Sequence, residues 1–444
     1  MQAFDKFWAE AVTVLWGMPL VLLLTGAGVY FTVMGGFMPL RGFRHALSIL
    51  SGRFDDPNDP GEISHFQALS SALSATVGLG NIAGVAIAVA IGGPGAIFWM
   101  WISGLVGMST KFFTCTLACL YRKEDESGVP QGGPMYYLEV GLGKKFLPLA
   151  YMFAVFGMIG TLPLFQSNQL AGLLEVHWSI DRSVTGTLAM LAVGAVILGG
   201  IKRVGKTTAK VVPAMCLLYL LACLTVVITN YTVVPALFVS IFKHAFGMDA
   251  AIGAATGVAV KQVLITGIQR GAFSNEAGIG TAPLAHGAAK TDEPVREGLV
   301  AMIGPFVDTH VVCTLTALVI LLTGVNPHGG GIVMTATAFE LAMPGFGKPL
   351  LTLVAVLFAT TTMISLCYYG QKCARYLLGP LFGDLYIYMY LLFIPIAAHW
   401  TQATAVNIAD VAFALMAIPT LIGGLLLSPK VVSAYRDYFQ RMRI

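Results

Sequence analysis

Charged residues are scarce in this chain of 444 residues, since they make up only 11% of it and hydrophobic residues make up 57%. A soluble domain carries about 25% charged residues, so a soluble fold is excluded and most of the surface must face lipid. The seven cysteines show neither metal-ligand nor CxxC spacing, and no metal centre or disulfide framework is expected. His286, His310, Glu276 and Asp308 are too widely spaced to form a catalytic set, so the sequence does not favour an enzyme.

Apolar runs of membrane-spanning length recur along the chain. A helix needs about 20 predominantly apolar residues to cross a bilayer, and eleven runs approach this length. They cover 14–36, 66–91, 95–120, 147–172, 183–201, 208–230, 256–286, 298–323, 348–372, 384–400 and 406–428. Shorter apolar stretches near 236–247 and 332–342 predict helices that do not cross. The sequence therefore predicts an all-α integral membrane protein with eleven transmembrane helices.

Lysine and arginine are distributed unevenly between the two sets of predicted loops. Nineteen of them lie in loops on one side, whereas only Lys6, Arg182, Lys243 and Lys348 lie on the other. Because positively charged loops stay in the cytoplasm, we expect an amino terminus outside and a carboxyl terminus in the cytoplasm. The basic tail, residues 429–444, is then a cytoplasmic end in contact with solvent or lipid headgroups.

Two of the predicted spans are interrupted in the same way, two hundred residues apart. Residues 78–81 read GLGN in the first, and residues 278–281 read GIGT in the second. Glycine opposes helix formation and frees backbone amides and carbonyls, which a membrane protein tolerates only where they line a cavity or face other protein. A matched pair of such breaks in the two halves of a chain indicates the binding site of a transporter.

The ten spans after the first form two groups of five, related by an offset of about two hundred residues. An odd number of crossings in each group inverts the second group relative to the first, and we expect the two broken helices to meet at the membrane midplane. Chance agreement of hydropathy is the alternative. The predicted units are 1–65 (an extra N-terminal helix and a loop), 66–230 and 231–428 (the two repeats) and the tail 429–444.

Polar residues inside the spans are candidate ligands. Unwinding of 74–81 would expose carbonyls for a hard cation such as sodium, and the helix that follows would direct its amides at a carboxylate. Residues 360–362 (TTT) and Ser365 supply neutral oxygens, although such hydroxyls often bond to their own backbone. In the polar string QSNQ, Gln166 is predicted to face the cavity and Asn168 to bond between helices. These features favour a small zwitterion and a cation; glycines that serve only tight helix packing are the alternative.

Charged side chains inside the spans need partners, because lipid does not solvate them. Glu276 lies beside the second break, Arg270 lies upstream on the same span, and Asp308 falls midway along the next. We expect an ion pair between Arg270 and either Glu276 or Asp308 that stiffens the broken helix or serves as a gate. Proton coupling through one of the two carboxylates is the alternative role.

Several long strings resemble the alanine/glycine:cation symporters of bacteria and archaea. They lie between about residues 66 and 430 and include SALSATVGLGNIAGVA, IGGPGAIFWMWISGLVGMSTKF, GGPMYYLEVGLG and FSNEAGIGTAPLAHGAAKT. That family is similar in fold to the neurotransmitter:sodium symporters, so the resemblance implies a five-plus-five inverted repeat. It also implies residence in the cytoplasmic membrane of a bacterium or archaeon.

The resemblance implies roles for individual residues. Sodium would be bound by the carbonyls of Ser74, Val77 and Phe358 and by the hydroxyls of Thr361 and Thr362. The substrate site would comprise Thr76, Gly78, Leu79, Gly80, Asn81, Gln166, Asn275, Gly278, Thr362, Met363 and Leu366. The amides of 78–80 would bind the carboxylate of the substrate. No cofactor is implied apart from the co-transported sodium ion.

The chain departs from the family pattern where it reads TTMISL and the family usually reads TTILGW. Leu366 stands where the family has tryptophan, Met363 replaces an isoleucine and Ser365 replaces a glycine. Leucine opens volume that the flexible methionine partly refills. We therefore expect a substrate range wider than alanine and glycine, extending to a larger neutral amino acid such as glutamine or serine.

Together these features predict a sodium-coupled symporter that imports a small neutral amino acid by alternating access. Its partners would be the amino acid, the sodium ion and the lipid bilayer, with no nucleic acid and no obligate protein partner. A proton-coupled symporter and an uncoupled facilitator are the alternatives, and a membrane-embedded enzyme is the least favoured.

Overall fold

The computed structural model describes residues 2–125, 128–247, 254–326 and 331–442, and most of them are helical. Arg443 of the predicted basic tail lies outside these ranges. The α-helices are α1 (Gln2–Leu15), α2 (Met18–Met34), α3 (Met38–Arg41), α4 (Phe43–Leu50), α5 (His65–Thr76), α6 (Val85–Gly92), α7 (Gly95–Leu120), α8 (Pro134–Tyr136), α9 (Leu147–Gly160), α10 (Leu164–Trp178), α11 (Arg182–Ile197), α12 (Gly200–Thr229), α13 (Val234–Ala245), α14 (Ala254–Asn275), α15 (Ala282–His286), α16 (Pro294–Ala301), α17 (Ile303–Pro305), α18 (Thr314–Thr323), α19 (Gly331–Ala342), α20 (Gly347–Leu378), α21 (Pro380–Ala398) and α22 (Gln402–Met442). The shorter elements are π-helical segments at Gly80–Gly84, Tyr137–Gly141 and Phe306–Cys313, a 3-10 turn at Lys144–Phe146, and an antiparallel pair of strands, β1 (Lys123–Glu124) and β2 (Pro130–Gln131).

Within the described ranges, seven helical segments are long and apolar enough to cross a membrane, or nine if two bent helix pairs each form one span. The predicted all-α architecture with apolar spans is therefore confirmed, whereas the count of eleven is not. Part of the difference is α11, which has only 16 residues. The predicted span 256–286 divides into α14 and the short α15. The predicted short helices near 236–247 and 332–342 correspond to α13 and α19.

The first predicted break separates α5 from α6. A capping box starts α5, because the Ser64 hydroxyl accepts a hydrogen bond from the Gln67 amide at 3.3 Å and the Gln67 side chain accepts one from the Ser64 amide at 3.0 Å. The helix ends at Thr76, and its axis turns by 47° before the helical segment Gly80–Gly92 continues. The segment from His65 to Gly92 is therefore a broken span, and the break lies where the glycines predicted it.

The second predicted break is a loop between α14 and α15. Residues 276–281 leave the helical path, and α15 begins with a proline in its first turn. Gly278 (φ +84°) and Gly280 (φ +104°) adopt backbone conformations that residues with a side chain rarely adopt. Glu276 also has a positive φ, +54°, which costs a non-glycine residue about 1–3 kcal/mol. The glycines therefore determine the path of this loop.

The two broken helices are joined at one end of the bundle, on the face that carries the basic loops. Ile63, just before α5, pairs with Ala289 in a parallel β-bridge. The buried Glu297 carboxylate of α16 contacts His65 at the start of α5 and His286 at the end of α15, the latter at 2.6 Å. These contacts connect α5, α15 and α16 at this face.

Candidate functional site

The first break packs directly against the middle of α20. The Thr362 hydroxyl donates to the Ser74 carbonyl at 2.9 Å, and the Ser74 hydroxyl donates to the Thr361 carbonyl at 2.7 Å. A side chain at Gly78 would collide with the Thr362 hydroxyl, so only glycine permits this approach. The structure thus brings together three of the five residues predicted to bind sodium, and all three are buried.

The other two of these residues lie beside them. Val77 follows α5 directly and is fully buried, and its ψ of 89° departs from the helical value. The Phe358 carbonyl accepts a hydrogen bond from the Thr361 hydroxyl at 3.2 Å. The Thr360 hydroxyl also donates within its own helix, at 2.7 Å. In the described chain, Thr362 is thus the one member of the three threonines whose hydroxyl bonds to the first break.

The Asn81 side chain connects the first break to the π-helical segment Phe306–Cys313, which follows the second break in the chain. Its Oδ1 accepts a hydrogen bond from the Gly78 amide at 2.8 Å, and its Nδ2 donates to the Asp308 carboxylate at 2.6 Å. The Gly78 amide, which is predicted to bind a substrate carboxylate, is therefore bonded within the protein in this structure. The amides of Leu79 and Gly80 begin the helical segment after the break, and first-turn amides have no partner within their own helix.

Asp308 is the centre of a buried polar cluster. Besides the bond from Asn81, its carboxylate accepts hydrogen bonds from the Ser274 hydroxyl at 3.0 Å and the Thr309 hydroxyl at 2.8 Å. Asn275 joins the cluster because its amide donates to the Thr309 hydroxyl at 3.1 Å. Among the described residues, the hydrogen-bond donors to Asp308 are all neutral. Both breaks therefore contribute to one polar cluster around a fully buried carboxylate.

A cavity of about 20 Å³ lies between the two breaks and the helices α10, α20 and α22. A space of this size holds about one water molecule. Four residues of the predicted substrate site line it, namely Thr76, Gly80, Gln166 and Leu366. The remaining lining residues are Ala75, Gly160, Leu162, Phe165, Phe273, Glu276, Ala409 and Phe413. The cavity therefore has a largely apolar wall and few polar groups.

Three phenylalanines of this wall were missed by the sequence analysis. The rings of Phe165 and Phe273 lie 5.1 Å apart and those of Phe273 and Phe413 lie 5.3 Å apart. A phenylalanine in an apolar helix leaves the hydropathy pattern of the sequence the same whether its ring faces lipid or a cavity, so the sequence alone did not distinguish the two positions. Phe165 and Phe273 directly precede polar strings, and this neighbourhood is the one signal that could have identified them.

The other residues of the predicted substrate site do not line this cavity. They are Gly78, Leu79, Asn81, Asn275, Gly278, Thr362 and Met363. Gly278 instead packs on α2 and α22, where an added Cβ would lie 2.8 Å from Leu24 and 3.4 Å from Leu421. The Met363 carbonyl accepts a hydrogen bond from the Tyr390 hydroxyl at 3.0 Å. These residues shape the surroundings of the cavity.

Arg270 forms an ion pair with Asp410 of α22, where the sequence analysis expected Glu276 or Asp308 as its partner. That expectation was wrong. Both members of the pair are buried, with 4% and 1% of their side chains exposed. Glu276 instead accepts a hydrogen bond from the Thr281 hydroxyl. The spacing of charges along the chain did not reveal Asp410, because it lies 140 residues from its partner.

The side chains of the polar string on α10 have different surroundings. The Asn168 amide donates to the Trp400 carbonyl at 2.6 Å and thus bonds to a neighbouring part of the bundle. Gln166 lines the cavity, and its amide group makes no hydrogen bond within the part of the chain that the structure describes. Its polar atoms therefore remain free to contact a bound solute.

Two interrupted helices that meet inside a bundle of apolar spans, with a buried cavity between them, define a secondary transporter. The chain belongs to the sodium:alanine symporter family, whose sequence model matches residues 1–444. The family predicted from the sequence, and its class of transport proteins, are therefore confirmed.

Individual relatives agree with this membership. The chain is 42% identical to the sodium/alanine symporter AgcS of Methanococcus maripaludis over 437 residues, which cover 95% of this chain and 94% of AgcS. It is 34% identical to the probable sodium/glutamine symporter GlnT of Bacillus subtilis, over 100% of this chain and 92% of GlnT. The crystal structure of MhsT in complex with L-phenylalanine is 12% identical, with a TM-score of 0.57 over 83% of this chain and 89% of MhsT. This last similarity shows that the two proteins share a fold.

Proposed function

We propose that this chain is a sodium-coupled symporter that moves a small neutral amino acid by alternating access. The observation that carries the proposal is the hydrogen bond from the Thr362 hydroxyl to the Ser74 carbonyl. It joins the first broken helix to α20 and gathers neutral oxygen atoms at one place. Carbonyls of unwound helices and neighbouring hydroxyls are the ligands that transporters of this kind offer to sodium.

The proposed sodium site consists of the carbonyls of Ser74, Val77 and Phe358 and the hydroxyls of Thr361 and Thr362. The two threonine hydroxyls donate to backbone carbonyls at 2.8–3.2 Å. A sodium ion would replace these hydrogen bonds: each hydroxyl would keep its proton, turn it away from the carbonyl and bind the ion through its oxygen, and the carbonyl oxygens would bind the same ion. The ion would then hold the first break against α20, and this coupling is reciprocal: whatever sodium adds to substrate affinity, the substrate adds to sodium affinity.

The proposed substrate site is the central cavity lined by Thr76, Gly80, Gln166 and Leu366. Gln166 supplies a free amide, and the amides that begin the helix at Leu79 and Gly80 suit a carboxylate. An amino acid is larger than the present cavity of about 20 Å³. The helices that line the cavity must therefore move apart for an amino acid to bind. Leu366, which leaves more room than tryptophan, and the flexible Met363 favour a substrate range that extends beyond alanine. Two relatives carry names with different substrates: AgcS is a sodium/alanine symporter and GlnT a probable sodium/glutamine symporter.

Alternating access requires each end of the bundle to open in turn. At the basic face, the pairing of Ile63 with Ala289 and the contacts of Glu297 close the path. At the opposite face, the Gln169 side chain accepts a hydrogen bond from the Ile332 amide of α19 at 3.2 Å. Opening of one face would break the polar contacts at that face and leave those at the other face intact. The cavity lies between the two faces.

The proposed membrane topology has eleven crossings, with the extra N-terminal helix in 1–65, inverted repeats in 66–230 and 231–428, and a cytoplasmic tail at 429–444. The basic face would lie in the cytoplasm, with the amino terminus outside, in the cytoplasmic membrane of a bacterium or archaeon. Supporting this arrangement, the pair formed by α5 and α6 and the pair formed by α14 and α15 both break close to the cavity.

Proton coupling is the second candidate function. It is favoured by the two buried carboxylates of Glu276 and Asp308, which accept hydrogen bonds from neutral donors among the described residues. A buried carboxylate without a cationic partner is a natural site for a transported proton. Uncoupled diffusion of the solute is the remaining alternative.

Reconstitution into proteoliposomes separates these functions. With an inward sodium gradient and equal pH on both sides, labelled L-alanine should accumulate above its external concentration, and collapse of the sodium gradient should abolish accumulation. Accumulation driven by a pH gradient without sodium would establish the proton-coupled function instead. Equilibration of alanine under both gradients would establish a facilitator.

A further inference from the structure

Glu276 is the one charged side chain among the described residues that line the central cavity. It is only 4% exposed, and its Oε2 accepts a hydrogen bond from the Thr281 hydroxyl. Its Oε1 makes no hydrogen bond in the described part of the chain. Asp308 differs, because both of its oxygens accept hydrogen bonds from neighbouring side chains. The Glu276 Oε1 atom keeps some accessible surface and Glu276 lines the cavity, so this oxygen is suited to receive a donor from a bound solute.

The backbone of Glu276 is held in a conformation that does not favour glutamate. Its φ is +54°, a region in which glycine and asparagine are common and longer side chains are rare. Two backbone hydrogen bonds fix it there: its amide donates to the Ala272 carbonyl at 2.9 Å, and its carbonyl accepts from the Ile279 amide at 3.2 Å. The backbone thus holds a carboxylate at the cavity in spite of the cost in backbone strain.

No basic side chain of the described chain forms an ion pair with Glu276. Arg270, six residues earlier in the chain, is occupied by Asp410. The buried Lys111 has no ammonium–carboxylate contact within 4.0 Å of Glu276. The negative charge at the cavity therefore lacks a close counter-charge, and a cationic group of the solute would supply one in an environment of low dielectric constant.

The helix ends around the cavity have opposite polarity. The helix α14 ends at Asn275, next to Glu276, so the negative end of its dipole lies on this side. Gly80, which lines the same cavity, begins the helical segment after the first break, where the positive end of a helix dipole lies. The cavity therefore offers one site for a positive group and another for a negative group.

We propose that Glu276 binds the α-ammonium group of the amino acid and directs its carboxylate toward the amides of Leu79 and Gly80. This inference rests on the proposed function and deepens it, because it makes a free α-ammonium group a requirement for binding. Analogues in which another group replaces the ammonium, such as 2-hydroxy acids, should bind much more weakly, because a hydroxyl can donate a hydrogen bond to the buried carboxylate but brings no positive charge to it.

The test compares L-alanine with L-lactate, which has a hydroxyl in place of the ammonium group. Binding of each is measured on the purified full chain in sodium, as thermal stabilisation over a series of ligand concentrations. The wild type should bind alanine and strongly disfavour lactate. In Glu276→Gln, alanine affinity should fall about 10- to 100-fold, as expected for loss of a hydrogen bond between charged groups, whereas lactate affinity should change by less than about threefold. The preference for alanine then collapses.

Two further variants keep the test decisive. Glu276→Asp retains the charge and tolerates the left-handed backbone, so it should keep the preference for alanine even if its affinity is lower. Glu175→Gln removes a carboxylate at a surface ion pair with Arg182 and should leave both affinities unchanged. The inference would be overturned if Glu276→Gln lowered the affinities for alanine and lactate equally, or lowered neither affinity. A wild type that binds no alanine in sodium would instead overturn the proposed function.

Discussion

Removal of the Thr362 hydroxyl is the most direct test of the proposed sodium site. This hydroxyl is fully buried and donates to the Ser74 carbonyl at 2.9 Å. A hydrogen bond or ligand contact that involves a charged group is worth about 1.5–3 kcal/mol. Because each 1.4 kcal/mol corresponds to a factor of about ten in affinity, we expect Thr362→Ala to weaken apparent sodium affinity about 10- to 100-fold.

The assay is the sodium dependence of labelled alanine uptake into proteoliposomes, with the sodium concentration for half-maximal uptake as the readout. Thr362→Ser keeps the hydroxyl and should restore most of the sodium affinity. Thr360→Ala is the matched control, because the Thr360 hydroxyl bonds only within its own helix, and it should change the half-maximal concentration by less than about twofold, as is usual for a surface-like or local change.

Two results would refute this reasoning. One is a Thr362→Ala variant whose half-maximal sodium concentration matches that of the wild type. The other is an equal loss in Thr360→Ala, which would mean that any disturbance of α20 weakens uptake. Thermal unfolding of each variant in detergent is measured in parallel, so that a loss of folded protein is distinguished from a loss of sodium affinity.

Three other substitutions test the surrounding structure. Leu366→Trp should narrow the substrate range because the larger ring occupies the cavity wall; glutamine should then compete less with labelled alanine uptake while glycine still competes, and undiminished competition by glutamine would contradict the assignment. Asp410→Asn leaves Arg270 buried without its counter-charge, which should destabilise the protein by about 3–5 kcal/mol and lower its thermal unfolding midpoint; an unchanged midpoint would show that the pair contributes little. Gly280→Ala should reduce the yield of folded protein, because the position has a φ of +104° and an added Cβ would lie 2.6 Å from a phenylalanine ring, whereas Gly172→Ala, with open space around it, should be neutral in the same size-exclusion measurement.

The sequence alone determined the membrane class, the family and the positions of both helix breaks. Hydropathy reports the environment of each segment without knowledge of its neighbours, because lipid selects apolar residues wherever a helix crosses. The breaks followed from glycine, whose conformational freedom is a local property, and Gly278 and Gly280 do adopt backbone angles that require it. The meeting of Ser74 with Thr361 and Thr362 also agreed with the resemblance to known symporters.

Tertiary structure alone decided which polar groups face one another. The partner of Arg270 is Asp410, far along the chain, and the Asn81 side chain turns to the Gly78 amide and to Asp308. Each residue along a helix is rotated by about 100° from the last, so a small change in how a helix is turned exchanges a cavity residue for a packed one. Packing against neighbouring helices fixes that rotation, and no single segment of the sequence carries it.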